Sequence, residues 1–187
     1  MSKALFIKQE PSSIIRVVVF GPESTGKTTL CKDLAAHYKT LWVPEFARTF
    51  LQDKWDKKKE ACALEDLITI ANGQMIAENS ALSDANKILF CDTNVLVTKI
   101  WSETHFDGYC DPIIKEAVKQ VRYDLYLLTE IDVPWESDDL RDRPNDRKLM
   151  FDFFKNILKA QKFNYKHIKG SRENRIKQAT TAIDILI

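Results

Sequence analysis

Residues 21 to 28 read Gly21-Pro22-Glu23-Ser24-Thr25-Gly26-Lys27-Thr28, the pattern G-x-x-x-x-G-K-[ST] of a phosphate-binding P-loop. The apolar run Ile14-Ile15-Arg16-Val17-Val18-Val19-Phe20 before it predicts a buried strand. The stretch from Thr28 to Tyr38 after it predicts a helix. Strand, glycine loop and helix, in that order, are the setting in which the pattern has chemical meaning. The first backbone N–H groups of a helix lack partners and carry partial positive charge. Gly21 and Gly26 let the chain curl so that such groups face phosphate oxygens. Glu23, Ser24, Thr25 and Thr29 belong to the same cradle. Lys27 is expected to reach the β- and γ-phosphates, and the Thr28 hydroxyl to ligate Mg²⁺. ATP and Mg²⁺ are therefore the expected cofactors.

Outward from the loop, strand and helix patterns alternate. Leu41-Trp42-Val43 predicts a second strand ending at Pro44-Glu45, with a helical segment from Phe46 to Leu51. Lys54 to Lys59 is polar and reads as an exposed turn. From Glu60 to about Asp84 a long helix is expected, because Leu64, Leu67, Ile68, Ala71, Met75 and Leu82 recur mostly at three and four. Ile88-Leu89-Phe90-Cys91 is a third buried strand ending at Asp92-Thr93-Asn94, with helix again from Val95 to Trp101. Asp111-Pro112 opens another helix. Asp124 to Leu128 is a fourth strand, a helix runs from about Asp146 to Gln161, and Tyr165 to Ile168 is a fifth strand before the last helix.

Such alternation predicts an α/β chain: a P-loop NTPase three-layer fold, with a five-stranded parallel sheet, helices on both faces and an arginine-bearing lid. Residues 1–187 read as a single P-loop domain, with 1–12 as a flexible tail. A net charge of +1, from 28 Lys and Arg against 27 Asp and Glu, gives no global basic field and no case for nucleic acid. Cys31, Cys62, Cys91 and Cys110 form no C-x-x-C pair, which fits reduced thiols in the cytoplasm and no structural zinc. No stretch is apolar enough to span a membrane.

In parallel sheets ligands gather beyond the carboxyl ends of the strands. Asp92, which closes the third strand, can serve Mg²⁺ or take a proton from an attacking hydroxyl, or it can cap the helix that follows. Glu45 closes the second strand with Arg48 three residues on, one face of a helix start. Trp135, in Asp132-Val133-Pro134-Trp135-Glu136, is either a core plug or a flat stacking surface for a cationic ring. Arg141, Arg143 and Arg147 crowd a loop that can close over a triphosphate, with Arg141 the expected catalytic arginine. Arg172, in Gly170-Ser171-Arg172, is placed to flank the adenine. His37, His105 and His167 show no ligand spacing, and His105 reads as incidental.

Four pieces in order carry a family resemblance: Gly21 to Leu30, Val43-Pro44-Glu45-Phe46-Ala47-Arg48, Phe90-Cys91-Asp92-Thr93-Asn94, and Tyr123 to Leu128 through Asp132-Val133-Pro134-Trp135 to Asp139-Leu140-Arg141-Asp142. Together they resemble the ribosylnicotinamide kinase domain of the bacterial bifunctional NAD-biosynthesis regulators. The resemblance implies transfer of the γ-phosphoryl group of ATP to the 5′-hydroxyl of nicotinamide riboside, giving nicotinamide mononucleotide. Glu45, Arg48, Asp92, Asn94 and Trp135 would then line the acceptor pocket, and the three arginines would form the lid. Asn94 departs from the family, where a second acid is expected. Nucleotidyltransferase and DNA-binding activities are not carried over. Thiamine is the nearest rival acceptor, and an ATP-hydrolysing regulatory switch is the rival class. The expected partner is a small nucleoside-like molecule; oligomeric state is not legible.

Overall fold

The computed structural model describes residues 7–187. Five strands form one all-parallel sheet: β1 (Ile15–Phe20), β2 (Trp42–Val43), β3 (Ile88–Asp92), β4 (Leu125–Thr129) and β5 (Tyr165–Ile168), in the order β2-β3-β1-β4-β5. β1 is central, with Val19 paired to Asp92 of β3 on one side and to Leu127 of β4 on the other. Its residues Val17 to Phe20 are fully buried, as are Leu89, Phe90 and Cys91 of β3. A parallel sheet covered on both faces requires such unbroken apolar runs, which is why these strands are legible without alternation.

Helices α1 (Lys27–Tyr38) and α7 (Arg172–Ile183) cover one face, where Leu30, Leu34, Ala179 and Ile183 meet Val17 and Val19. Helices α4 (Val95–His105) and α6 (Arg147–Ala160) cover the other, where Leu96, Ile100, Met150 and Phe154 meet Val18 and Phe20. The remaining helices are α2 (Phe46–Lys58), α3 (Asp66–Ala81) and α5 (Pro112–Gln120), and a third apolar cluster joins α3 to α5 through Leu67, Ile70, Met75 and Ile114. Among the described residues no helix is long and apolar enough to cross a membrane.

Four boundaries differ from the sequence reading, the simplest being α4, which runs on past Trp101 to His105. α2 continues through the expected turn at 54–59 and stops at Lys58, where Lys59 adopts φ 57° and returns its N–H to the Trp55 carbonyl. The apolar stripe of α2, Phe46, Ala47, Phe50 and Leu51, lies in the first half of the helix, where Ala47, Phe50 and Leu51 pack against the α3–α5 cluster, while the second half is mostly charged and reads as a turn. The helix expected from Glu60 begins only at Asp66, whose carboxylate accepts from the Ala63 N–H and pairs with Lys54 at 2.6 Å. The expected tail is anchored from residue 7 to residue 10; residues 1–6 lie outside the described range. Ile7 is buried in the α3–α5 cluster, Asn79 of α3 bonds the Glu10 N–H and the Lys8 carbonyl, and Arg16 holds the Glu10 carbonyl.

Candidate functional site

β1 has neighbours whose chains leave in opposite directions across the sheet, and the crevice at such a reversal is where ligands bind. The P-loop fills it. Gly21 has φ 143°, and a Cβ there would stand 2.7 Å from the Thr129 hydroxyl, so only glycine lets the loop leave β1 against β4. Thr25 is buried and its hydroxyl bonds the Pro22 carbonyl at 2.8 Å and the Thr129 hydroxyl at 2.7 Å. Arg175 of α7, 5% exposed, donates to the carbonyls of Thr25, Glu130 and Gly170 and pairs with Asp132. One guanidinium therefore ties the loop to the ends of β4 and β5.

Lys27 donates across the loop to the Pro22 carbonyl at 2.8 Å. The Thr28 hydroxyl donates to Asp92 Oδ2 at 2.5 Å. Asp92 is 1% exposed, and its other oxygen, Oδ1, has no partner among the described residues. Burial, then the Glu45 carboxylate, pushes the Asp92 pKa up to about 6. A buried, unpartnered carboxylate oxygen beside a threonine hydroxyl suits a hard cation that takes oxygen ligands and keeps several waters. Asp92 is aimed by its neighbour: Thr93 leaves β3 at φ 70°, a costly conformation for a β-branched residue, and donates its N–H to the Val19 carbonyl.

A cavity of about 1030 Å³ runs from this loop across the end of β3 to α2, α4 and the segment 132–147. Glu45, at the N-terminus of α2, and Arg48 line it, and Arg48 pairs with Asp138 at 2.8 Å. The arginine segment is stitched to the P-loop. The Arg143 N–H donates to Glu23 at 3.1 Å, and Arg147 donates to the carbonyls of Ser24 and Val133. Burial raises the Glu23 pKa and the Arg143 N–H opposes that rise. Arg141 donates to the Glu136 carbonyl at 2.5 Å and faces Asp138 at 3.3 Å. Arg172 grips Asp33 of α1 with two bonds, of 2.7 and 2.5 Å, at the rim.

Beneath α2 lies a buried polar chain. Gln74 of α3 accepts the Phe46 N–H at 2.9 Å and donates to Glu78 at 3.4 Å; Tyr123 donates to Glu78 at 2.7 Å. Glu78 is wholly buried, which pushes its pKa up to about 7.

Gly21, Glu23, Ser24, Thr25, Gly26, Lys27, Thr28, Thr29, Glu45, Arg48, Asp92, Arg141, Arg143, Arg147 and Arg172 all reach the cavity. Two expected residues are placed elsewhere. Asn94 is buried as the N-cap of α4, accepting the Val97 N–H and donating to the Tyr126 hydroxyl. Trp135 is not on the wall; the Arg147 guanidinium lies 5.8 Å from its ring centre. Sequence reasoning missed Trp101, His105, Gln74, Thr129 and Arg175. Trp101 and His105 stand four apart on α4 and both line the cavity, a spacing that could have joined them. Arg175 carries no local signal, since it reads as one more cation on a polar helix.

The sequence matches the family described as AAA domain over residues 16–175. It is 28% identical over 162 residues to the trifunctional NAD biosynthesis/regulator protein NadR of Salmonella typhimurium, covering 86% of this chain and 39% of that protein. It is 30% identical over 132 residues to NadR of Escherichia coli, covering 71% of this chain and 32% of the relative. The chain thus spans less than half the length of these curated relatives, and the motif-based resemblance to NAD-biosynthesis regulators is borne out. Among solved structures, NadR in complex with NR superposes with a TM-score of 0.73 at 21% identity, covering 92% of this chain and 49% of that one. NadR with NAD and AMP-PNP gives 0.72 at 20%, with the same coverage of 92% and 49%. Thymidylate kinase from Ehrlichia chaffeensis gives 0.60 at 15%, covering 94% and 98%. At these identities the shared feature is the P-loop kinase fold.

Proposed function

The chain belongs to the AAA domain family, and from that premise we propose that it is an ATP- and Mg²⁺-dependent kinase that phosphorylates the 5′-hydroxyl of nicotinamide riboside to nicotinamide mononucleotide. The observation that carries the reading is the convergence of Thr28, Asp92 and Glu45 on one cavity with the P-loop. A protein that only hydrolyses ATP needs no second, deep compartment; one that transfers to an alcohol does. Similarity to NadR, solved with NR bound, supports the choice of acceptor.

Loop N–H groups and Lys27 bind the donor phosphates and oppose charge on the transferred group. Thr28 and the free Oδ1 of Asp92 would hold Mg²⁺, which when bound neutralises phosphate charge. In the transfer the acceptor oxygen bonds to the γ-phosphorus, the bond from that phosphorus to the β-bridging oxygen breaks, and the hydroxyl proton passes to the Glu45–Asp92 pair. Arg141 and Arg147 supply positive charge from the lid. The four free cysteines fit a cytoplasmic setting.

Purified chain with Mg-ATP and a panel of nicotinamide riboside, adenosine, cytidine and thiamine tests the reading. Expected is ADP release that requires nicotinamide riboside and matches phosphorylated product mole for mole. Preference for thiamine would change the acceptor. ADP release indifferent to every alcohol would replace the kinase with an ATPase switch.

A further inference from the structure

We propose that the stacked pair Trp101–His105 is the surface that receives the acceptor's flat ring, and that Arg143 locks this surface to the donor loop. The inference rests on the kinase reading for the identity of the acceptor; its geometry stands independently. The two rings lie 3.6 Å apart at 4°, one helical turn apart on α4, and both border the cavity. Trp135, the tryptophan that sequence favoured, does not border it and has Arg147 against its ring.

The stack is held rigid. His105 Nε2 accepts from Arg143 Nε at 3.0 Å, with Asp142 Oδ1 farther off at 3.5 Å; a guanidinium N–H can only donate, so the shorter contact assigns this nitrogen no proton. The proton then sits on Nδ1, which lies 3.1 Å from the Trp101 carbonyl and 3.0 Å from the Thr104 hydroxyl. Arg143 also donates to the Thr104 carbonyl at 2.6 Å. A ring fixed at both nitrogens loses little freedom when a ligand stacks beside it.

The cavity suits a heterocycle joined to a sugar. Leu67, Ile70 and Val97 add apolar lining to it, and Thr98 a hydroxyl. Trp101 stands six residues into α4, about 9 Å along the axis from the helix start that follows Asp92. That is the scale of a nucleoside from its 5′ oxygen to the far edge of its base. The backbone N–H of Arg143 meanwhile bonds Glu23 of the P-loop. One lid residue thus touches both the ring surface and the phosphate loop, so acceptor stacking and lid closure favour each other.

Steady-state kinetics on the intact chain test this with Trp101→Ala, Trp101→Phe, Trp101→Leu and Trp135→Ala, using nicotinamide riboside as acceptor. Stacking on one aromatic face predicts a rise of about 10- to 100-fold in acceptor KM for Trp101→Ala. The KM for ATP should stay within about twofold of its starting value. Phe restores most of the loss because it keeps a flat face, Leu does not, and Trp135→Ala moves acceptor KM less than Trp101→Ala. Should the alanine variant lose its circular dichroism signal, the Phe–Leu pair decides alone. An unchanged acceptor KM in Trp101→Leu, or equal losses for both substrates, overturns the proposal. If the wild-type chain phosphorylates nothing, the kinase reading fails and tryptophan quenching by nicotinamide riboside and adenosine judges the stack separately. Quenching lost in Trp101→Phe supports it; quenching that persists there, or is absent from the wild type, overturns it.

Discussion

The two ends of the cavity are built on different principles. The P-loop end is made of backbone from one contiguous loop, fixed from below by the buried guanidinium of Arg175. The far end, where the proposed acceptor would sit, is made of side chains from α2, α3, α4 and the segment 132–147, and it rests on Glu78, a buried acid whose pKa is pushed up to about 7. A loop that cradles phosphate needs one local conformation. A pocket that selects an alcohol needs several segments to arrive together, and its foundation can respond to conditions.

The strongest way to break this contrast is at Lys27. Lys27→Ala should lower kcat/KM by about 10³-fold, as for loss of a phosphate-facing charge, while leaving acceptor binding in place. Acceptor affinity measured by calorimetry without ATP would expose any coupling that contradicts the division. Next is Arg175→Ala, which removes the donor to three carbonyls and the partner of the exposed Asp132. Losing the bonds of one buried guanidinium predicts a loss of about 2 kcal/mol in urea unfolding. A rise in KM for ATP larger than that for the acceptor should accompany it.

The third prediction concerns pH. Burial holds the Glu78 pKa at about 7 against an ordinary 4.5. Between those values the folded chain binds the proton that the unfolded chain releases. Stability is therefore full below about pH 4.5 and declines as pH rises through 7, by a total on the order of 3 kcal/mol. The wild-type urea midpoint should fall from pH 5 to pH 8, and Glu78→Gln should flatten that fall; an equal slope in both proteins would reject the assignment. The smallest effect is expected at Asn94. As a helix cap, Asn94→Ala should cost about 1 kcal/mol of stability and leave acceptor KM unchanged. A large KM change would return Asn94 to the pocket.

Legibility in the sequence follows the same division. The five strands of the sheet were readable because strands buried on both faces must be apolar throughout, as Val17 to Phe20 are. The P-loop was readable because its function is local. Strand ends then pointed to Glu45 and Asp92. What stayed hidden had no local cause. The second half of α2 is mostly charged, so its length could not be seen. Trp101 sits inside a helix pattern that core packing alone would explain, whereas Trp135 stands out in a loop and drew attention for that reason. Asn94 looked like a pocket residue because it stands beside Asp92, yet a chain leaving a strand for a helix needs a cap at that place.

The reach of Arg175 also sets a schedule. The carbonyl of Thr25 that it holds was synthesised 150 residues earlier. A growing chain presents its phosphate-binding motif almost at once, but the bond that gives the loop its shape arrives only with α7. The strands that flank β1, β3 and β4, are made between the motif and α7, so the sheet around the loop is available before the bond from Arg175 is. Nucleotide capture should therefore be absent from stalled chains that lack α7 and appear abruptly in chains whose C-terminal extension carries residue 175 clear of the ribosome.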